Sequence, residues 1–314
     1  MKTAKKHKLK PNQSKTMKFK ILADRLQTIS RRSIQTEYRK LRNMSCSKCI
    51  NTSGRTRLGN KVVDAFTFIE RLHTKGHQNV SFFDFWEKRH VWRKKKWVRK
   101  TLKFYDDRKI DEIRKFKYIY NLYFSSISIF RPIMAMEIYC KLKCKRVLDF
   151  TMGWGGRLVG ACALGLDAYY GVDVNTKLKE PYGELVAFLQ SEPLHRTTID
   201  VRFQDALDVD YSQMDYDCVF TSPPYYNTET YRGSEGKYHS KEEWNEKFYK
   251  PIFQKTFESM KLGGSYCLNV PEYIYNDVCI PLFGTCATKI PLKKGERNPG
   301  KDQYKEFVYV WWKK

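Results

Sequence analysis

The amino-acid sequence predicts an α/β fold, a mainly parallel sheet with helices on both faces, behind a basic and mainly helical front region. Three observations carry that reading. Beyond about residue 145, short β-rich runs alternate with helical ones, the pattern of strands joined by crossover helices. Ahead of that point, apolar residues recur at three- and four-residue spacing, which is a helical period. The charge divides at the same place: residues 1–148 carry 39 Lys and Arg against 11 Asp and Glu, whereas residues 149–314 carry 20 against 23.

In chain order, residues 1–20 are Lys-rich, polar and free of acids. They bring too little apolar surface to offset the entropy of ordering, so a flexible basic arm is expected. Residues 21–130 are expected to form a basic, mainly helical nucleic-acid-binding region, with helical spacing clearest in KVVDAFTFIERLHTK and IDEIRKFKYIYNLYFSSI. In the stretch 81–109, Trp86, Trp92 and Trp97 interleave with Arg93, Lys94, Lys95, Lys96, Arg99 and Lys100. Cations neutralise phosphates, while aromatics either stack on bases or pack inward. Packing into a core is favoured for these tryptophans. For the six cations nucleic acid is favoured, because a merely solvated face mixes signs and an excess confined to half a chain is a footprint for a polyanion.

Residues 131–314 are expected to hold the sheet. RVLDF, AYYGVDV, TIDVRFQ, YDCVFTS, GSYCLNV and EFVYVWW read as strands. Between them, GRLVGACALG, EPYGELVAFLQ and the amphipathic SKEEWNEKFYKPIFQKTFESM read as helices. No internal repeat interrupts this order.

Composition narrows the setting. There is no apolar run of about 18 residues, and the N-terminus has no apolar core of a secretory signal. A soluble intracellular protein of nucleus or cytoplasm, with no membrane partner, is therefore expected. Nine cysteines in no regular framework suit a reducing compartment in which thiols stay free. Cys46-x-x-Cys49, with Cys140 and Cys144 as distant partners, is the one zinc-like pair; a single pair is a weak signal, and no metal site is predicted.

The chemistry-bearing residues sit at strand ends. In VLDFTMGWGGRLVGA, Asp149 closes the first strand, and Gly153, Gly155 and Gly156 turn the chain into a helix. Such a turn lets backbone N–H groups approach a ligand at the carboxyl edge of a sheet. A dinucleotide fingerprint would need glycine at Leu158, and the G-K-[ST] of a Walker loop is absent. S-adenosylmethionine, which has no phosphates, needs an acid for its ribose hydroxyls instead. Asp173 ends the second strand at close to the expected offset of about 20 residues, and Asp205, after the third, is placed for the adenine amino group. Singly, each acid reads as a helix cap or loop carboxylate; three at successive strand ends point to a ligand.

The fourth strand then delivers TSPPYY, residues 221–226. Two prolines stop the strand and stiffen the corner. The exocyclic amino nitrogen of adenine or cytosine is a poor nucleophile, because its lone pair is delocalised into the ring. Acceptors on its two hydrogens, here the Ser222 hydroxyl and the Pro223 carbonyl, favour a pyramidal nitrogen with that pair exposed. Tyr225 would stack on a base flipped out of a duplex.

Together, DFTMGWGG and TSPPYY resemble the amino-methylating DNA methyltransferases, which modify adenine at N6 or cytosine at N4. The resemblance covers roughly residues 125–314. It implies a Rossmann-like methyltransferase domain with a mainly parallel seven-stranded sheet and an antiparallel last strand. It also implies S-adenosylmethionine as cofactor, held by Asp149, Thr151, Gly153, Trp154, Gly155, Asp173 and Asp205, with Phe130 as a looser match. Ser222, Pro223, Pro224 and Tyr225 become the catalytic tetrad, and duplex DNA with a flipped base becomes the partner. Serine in first place is similar to the cytosine-N4 members, whereas Asp or Asn is more usual in the adenine enzymes, so cytosine is favoured. Methylation of RNA or of a protein amide is the alternative; a catalytically silent nucleic-acid-binding subunit is the alternative of another class. Behind the tetrad, YNTETYRGSEGKYHSKEE reads as a lid or a connector.

Overall fold

The computed structural model describes residues 14–314 apart from 53, 55, 77, 107, 109, 125, 126, 229, 231, 232, 234 and 293–305. Most of the expected basic arm lies outside the described residues. Its last part does not behave as an arm: Lys15–Leu26 is a helix, capped by the Ser14 hydroxyl on the Met17 N–H and burying Phe19, Ile21, Leu22 and Ala23. Lysines dominate the composition there, but one apolar stripe suffices to anchor a helix.

The chain divides into two compact units, one of residues 14–30 with Phe68–Ser128, the other of Arg31–Thr67 with Ile129–Lys314. The first is all-helical, around a core of Phe82, Phe83, Phe85, Ile113, Phe116, Ile119 and Tyr120. A capping box between Ser81 and Asp84 starts the helix Phe82–Glu87. Trp86 is buried in this core, and Trp92 and Trp97 pack against it half-exposed.

The second unit holds the sheet and, unlike the sequence-based boundary, also takes in residues 31–67. Tyr38 and Leu41 are buried in it, Tyr38 meets Phe188 edge-on at 5.8 Å, and Arg39 pairs with the buried Glu192 at 3.3 Å. Helical period and positive charge alone do not distinguish these helices from those of the first unit. The helix Cys46–Thr52 is joined to the helix Pro132–Leu142 by a disulfide between Cys46 and Cys140. This corrects the expectation that all thiols stay free, and removes Cys46 and Cys140 as zinc ligands. Cys49 is buried, and among the described residues no cluster of three His, Cys, Asp or Glu side chains could hold a metal.

Seven strands form one sheet in the order β3-β2-β1-β4-β5-β7-β6: β1 Arg146–Asp149, β2 Ala168–Asp173, β3 Thr198–Phe203, β4 Cys218–Thr221, β5 Ser265–Asn269, β6 Thr288–Pro291 and β7 Phe307–Trp312. β1 to β5 pair in parallel. β7 runs antiparallel between β5 and β6, as the resemblance implies. β6 is absent from the sequence reading, because TKIP is short and exposed but for Ile290. The central strands β1, β4 and β5 are buried almost throughout, as strands covered on both faces are. No helix among the described residues is long and apolar enough to cross a membrane.

Two helices of this unit contain a π turn, Asn245–Tyr249 and Tyr275–Cys279. Each lies just ahead of a proline, Pro251 and Pro281. A proline inside a helix has no N–H and crowds the preceding turn, and a widened turn relieves that crowding.

Candidate active site

The strand order reverses at β1, which pairs with β2 on one side and β4 on the other. The crevice outside the carboxyl ends of strands at such a point is where open α/β sheets bind ligands. Asp149, Asp173, Asp205, the Ser-Pro-Pro-Tyr corner and Asn269 all lie at or just beyond the carboxyl ends of β1 to β5.

The turn after β1 is shaped by close approach. Gly155 has φ +89°, in the left-handed region, and a Cβ there would lie 2.8 Å from Leu185. A Cβ on Gly156 would lie 1.8 Å from the Phe130 carbonyl, so Gly156 is required by the segment that carries Phe130. The Phe130 ring meets Phe220 edge-on at 5.3 Å, and the Arg157 guanidinium lies 5.4 Å from its centre. Trp154 is buried, and its carbonyl accepts from Thr67. Beside Gly153 the space is open: a Cβ there would meet nothing nearer than the Thr151 carbonyl at 3.9 Å.

The three acids, equivalent in the sequence, have different surroundings. Asp149 is fully buried. Its two oxygens accept from Arg157 Nε at 2.7 Å and Nη2 at 3.0 Å, from Tyr169 OH at 2.6 Å and from Thr221 Oγ1 at 2.8 Å. Burial by itself lowers the Arg157 pKa, but the Asp149 charge and hydrogen bonds more than reverse this, leaving it raised. Arg157 also donates to the Thr151 carbonyl, and the Thr151 hydroxyl bonds that of Thr221. Asp149 and Thr151 thus sit in a closed network tying β1, β2, β4 and the helix Gly156–Leu164 together.

Asp173 is half-buried. Its oxygens accept from the backbone N–H groups of Gly153 and Asn175, both at 2.9 Å. Desolvation pushes its pKa up to about 6, against the lowering effect of those two bonds. Tyr182 donates to the Gly153 carbonyl at 2.9 Å and braces the same turn. Asp205 caps a short 3-10 turn through the Leu207 N–H at 3.0 Å and forms an ion pair with Lys237. Lys237 belongs to the segment after the tetrad, where Gly233 also approaches the Val174 carbonyl closely. Gly233 and Lys237 therefore lie over the ends of β2 and β3.

At the corner itself, Ser222, Pro224 and Tyr225 are half-buried and Pro223 is buried. Tyr226 follows with φ +50°, a costly conformation for a tyrosine. Tyr249, from the π turn, braces it by accepting from the Tyr226 N–H at 3.0 Å and donating to the Pro224 carbonyl at 2.5 Å. No bond within the described residues uses the Pro223 carbonyl. The Ser222 and Tyr225 hydroxyls lie 3.0 Å apart, and both reach the Asn269 side chain, at 3.0 and 3.1 Å. Asn269, Tyr249, Arg157, Tyr169 and Tyr182 are missed by sequence reasoning: tyrosines inside apolar runs carry no local signal, and Asn269 looks like an ordinary strand end.

The six candidate cations, Arg93, Lys94, Lys95, Lys96, Arg99 and Lys100, lie in the all-helical unit and are exposed. Arg93 pairs with Glu112 and stands over the Phe116 ring. The other five form no ion pair among the described residues.

The sheet order, with a single antiparallel strand next to the edge, decides the architecture. The chain has the Rossmann-like methyltransferase fold. Similar solved structures include an rRNA methylase from Streptococcus thermophilus (14% identity, 60% of this chain and 99% of that one, TM-score 0.38). TrmN from Thermus thermophilus is 18% identical over 58% of this chain and 48% of that one, with a TM-score of 0.41. The precorrin-6y C5,15-methyltransferase from Geobacter metallireducens is 15% identical over 58% and 88%, with a TM-score of 0.38. This chain thus spans about half the length of TrmN. Likeness at these levels concerns the fold alone. No family model and no curated protein matches the sequence.

Proposed function

We propose that the chain transfers the methyl group of S-adenosylmethionine to the exocyclic amino nitrogen of a base in nucleic acid, with cytosine N4 favoured over adenine N6 on account of Ser222. The observation that carries this reading is the meeting, at one sheet edge, of an open glycine turn bonded to the half-buried Asp173 carboxylate and a rigid Ser-Pro-Pro-Tyr corner. S-adenosylmethionine supplies a methyl group activated by attachment to a sulfonium. The chain's residues fit it: each Asp173 oxygen accepts one backbone N–H and keeps a lone-pair direction for a ribose hydroxyl. Space beside Gly153 is free for a ligand. Asp149 and Thr151 serve this site by holding the turn and the corner together, and Trp154 and Phe130 by packing behind the turn. Asp205 is the remaining acceptor, for the adenine amino group.

At the corner, Ser222 Oγ and the Pro223 carbonyl accept the two amino hydrogens of the target base, and Tyr225 offers a half-exposed ring for it to stack on. With S-adenosylmethionine bound, its methyl group would pass to the nitrogen lone pair and the carbon–sulfur bonding pair would stay on sulfur. The nitrogen then releases one proton to water. No charged protein nucleophile is needed for such an in-line transfer. The exposed cations of the helical unit supply sequence-independent attraction for the phosphate backbone.

The transfer chemistry is the same whether the base lies in duplex DNA, flipped from its stack, or in RNA. The test therefore incubates the protein with methyl-labelled S-adenosylmethionine and, in separate arms, duplex DNA and structured RNA. Label in either polymer, cut about 10²-fold by Tyr225→Ala, supports the reading and identifies the polymer. Label in neither, with methylation of protein or of nothing, overturns it.

A further inference from the structure

We infer that Asn269 is a positioning residue of the transfer site, which takes the protons of the Ser222 and Tyr225 hydroxyls so that Ser222 presents only lone pairs to the incoming base. This rests on the proposed amino-group transfer and names a residue that the tetrad motif does not contain.

The argument follows from which atoms can donate. Asn269 ends β5 and is almost wholly buried. Its Nδ2 donates to the Phe307 carbonyl of the neighbouring β7 at 2.9 Å. A carbonyl can only accept, so this bond fixes the amide: the flipped orientation would set Oδ1 against the Phe307 oxygen. Oδ1 therefore faces the corner as an acceptor, 3.0 Å from Ser222 Oγ and 3.1 Å from Tyr225 OH. A hydroxyl bonded to that oxygen must spend its one proton on it. Tyr225 has a second acceptor in the same residue, the Asn269 carbonyl at 3.2 Å.

The consequence is chemical. A serine hydroxyl free to rotate could donate to the target nitrogen, or to a ring nitrogen beside it, and so tie up the lone pair the transfer needs. With its proton held by Asn269, Ser222 Oγ is left as an acceptor only, the role required of it opposite an amino hydrogen. The polarity thus runs from the β7 backbone through the Asn269 amide to the serine. Prearranging dipoles in this way reduces reorganisation during the reaction. Asn269 need not touch the base.

The test compares two substitutions of similar shape. Asn269→Leu removes the acceptor; Asn269→Asp keeps an oxygen toward Ser222 but sets a second one against the Phe307 carbonyl. A merely structural role makes the aspartate the worse replacement, since a buried carboxylate facing a carbonyl costs more than a leucine. The positioning role gives the opposite order in turnover. Expected is a fall in kcat of roughly 10 to 10²-fold for Asn269→Leu, with cofactor Kd and nucleic-acid KM little changed, and a smaller fall for Asn269→Asp. Combined with Ser222→Ala, Asn269→Leu should cost little more than Ser222→Ala alone, because both remove one interaction; that cycle decides the matter should the aspartate variant fail to fold. A kcat that follows thermal stability across the variants, or losses that multiply in the double variant, would overturn the inference. Absence of transfer by the unaltered protein to any nucleic acid would instead remove the functional reading on which it rests.

Discussion

Two ends of neighbouring strands, β1 and β4, show how differently the same edge of a sheet can be used. At the end of β1, Asp149 is fully buried and its oxygens receive four bonds, from Arg157, Tyr169 and Thr221. At the end of β4, Ser222 and Tyr225 are half-exposed, and the Pro223 carbonyl is left without a partner among the described residues. One hydroxyl, that of Thr221, links the two regions. A closed network gives rigidity and nothing for a ligand to bind; an open corner beside it is useful only because the network holds it still. Asp173 lies between these extremes, bonded to the backbone yet with lone-pair directions to spare.

The largest effect separating the two regions should be on stability. Asp149→Ala leaves a buried guanidinium without its partner, and is expected to cost about 3–5 kcal/mol in denaturant unfolding. An equal loss from Ser222→Ala would erase the contrast. Next in size is turnover: Tyr225→Ala and Ser222→Ala are each expected to lower transfer by about 10²-fold, while cofactor binding and the unfolding midpoint stay close to those of the unaltered chain. If Tyr225→Ala abolished cofactor binding to the same degree, the corner would belong to the cofactor and not to the base.

A smaller, graded effect comes from Asp173. As a carboxylate it accepts ribose hydroxyls best, and its pKa is pushed up to about 6. Cofactor affinity is therefore expected to be flat above pH 6 and to fall towards tenfold per pH unit below it. The same protonation favours the folded chain, because the folded pKa lies above the ordinary carboxylate value, so binding weakens over a range in which this group adds stability. Calorimetric titration of the cofactor against pH checks this, and Asp173→Asn should flatten the profile. The smallest effect concerns the helical unit. Replacing Lys94, Lys95 and Lys96 by Ala should make the logarithmic salt slope of nucleic-acid binding shallower by about two to three; an unchanged slope would place the polyanion contact elsewhere.

Much of this was legible beforehand. Strand–helix alternation located six of the seven strands, all but β6, and the stiff prolines located the corner, because backbone constraints act locally. Burial does not. Asp149, Asp173 and Asp205 look alike as residues at strand ends, and what distinguishes them is Arg157, eight positions on, together with Tyr169 and Thr221 from other strands. The brace from Tyr249 depends on a π turn forced by a proline further along the helix. Asn269 gains its orientation from Phe307, 38 positions away. Helices in residues 31–67 carry the positive charge of the front half, yet join the helices of the sheet-bearing unit through Tyr38 on Phe188 and the Cys46–Cys140 bond.

The most direct measurement is the identity of the methylated atom. After transfer from labelled S-adenosylmethionine, the nucleic acid is digested and its nucleosides are separated by mass and retention. An acceptor corner built from Ser222 and Pro223 predicts label on an exocyclic nitrogen, with N4-methylcytosine expected ahead of N6-methyladenine. Label on a ring carbon, or on a ribose oxygen, would contradict the role given to the corner even though a methyl group had been transferred.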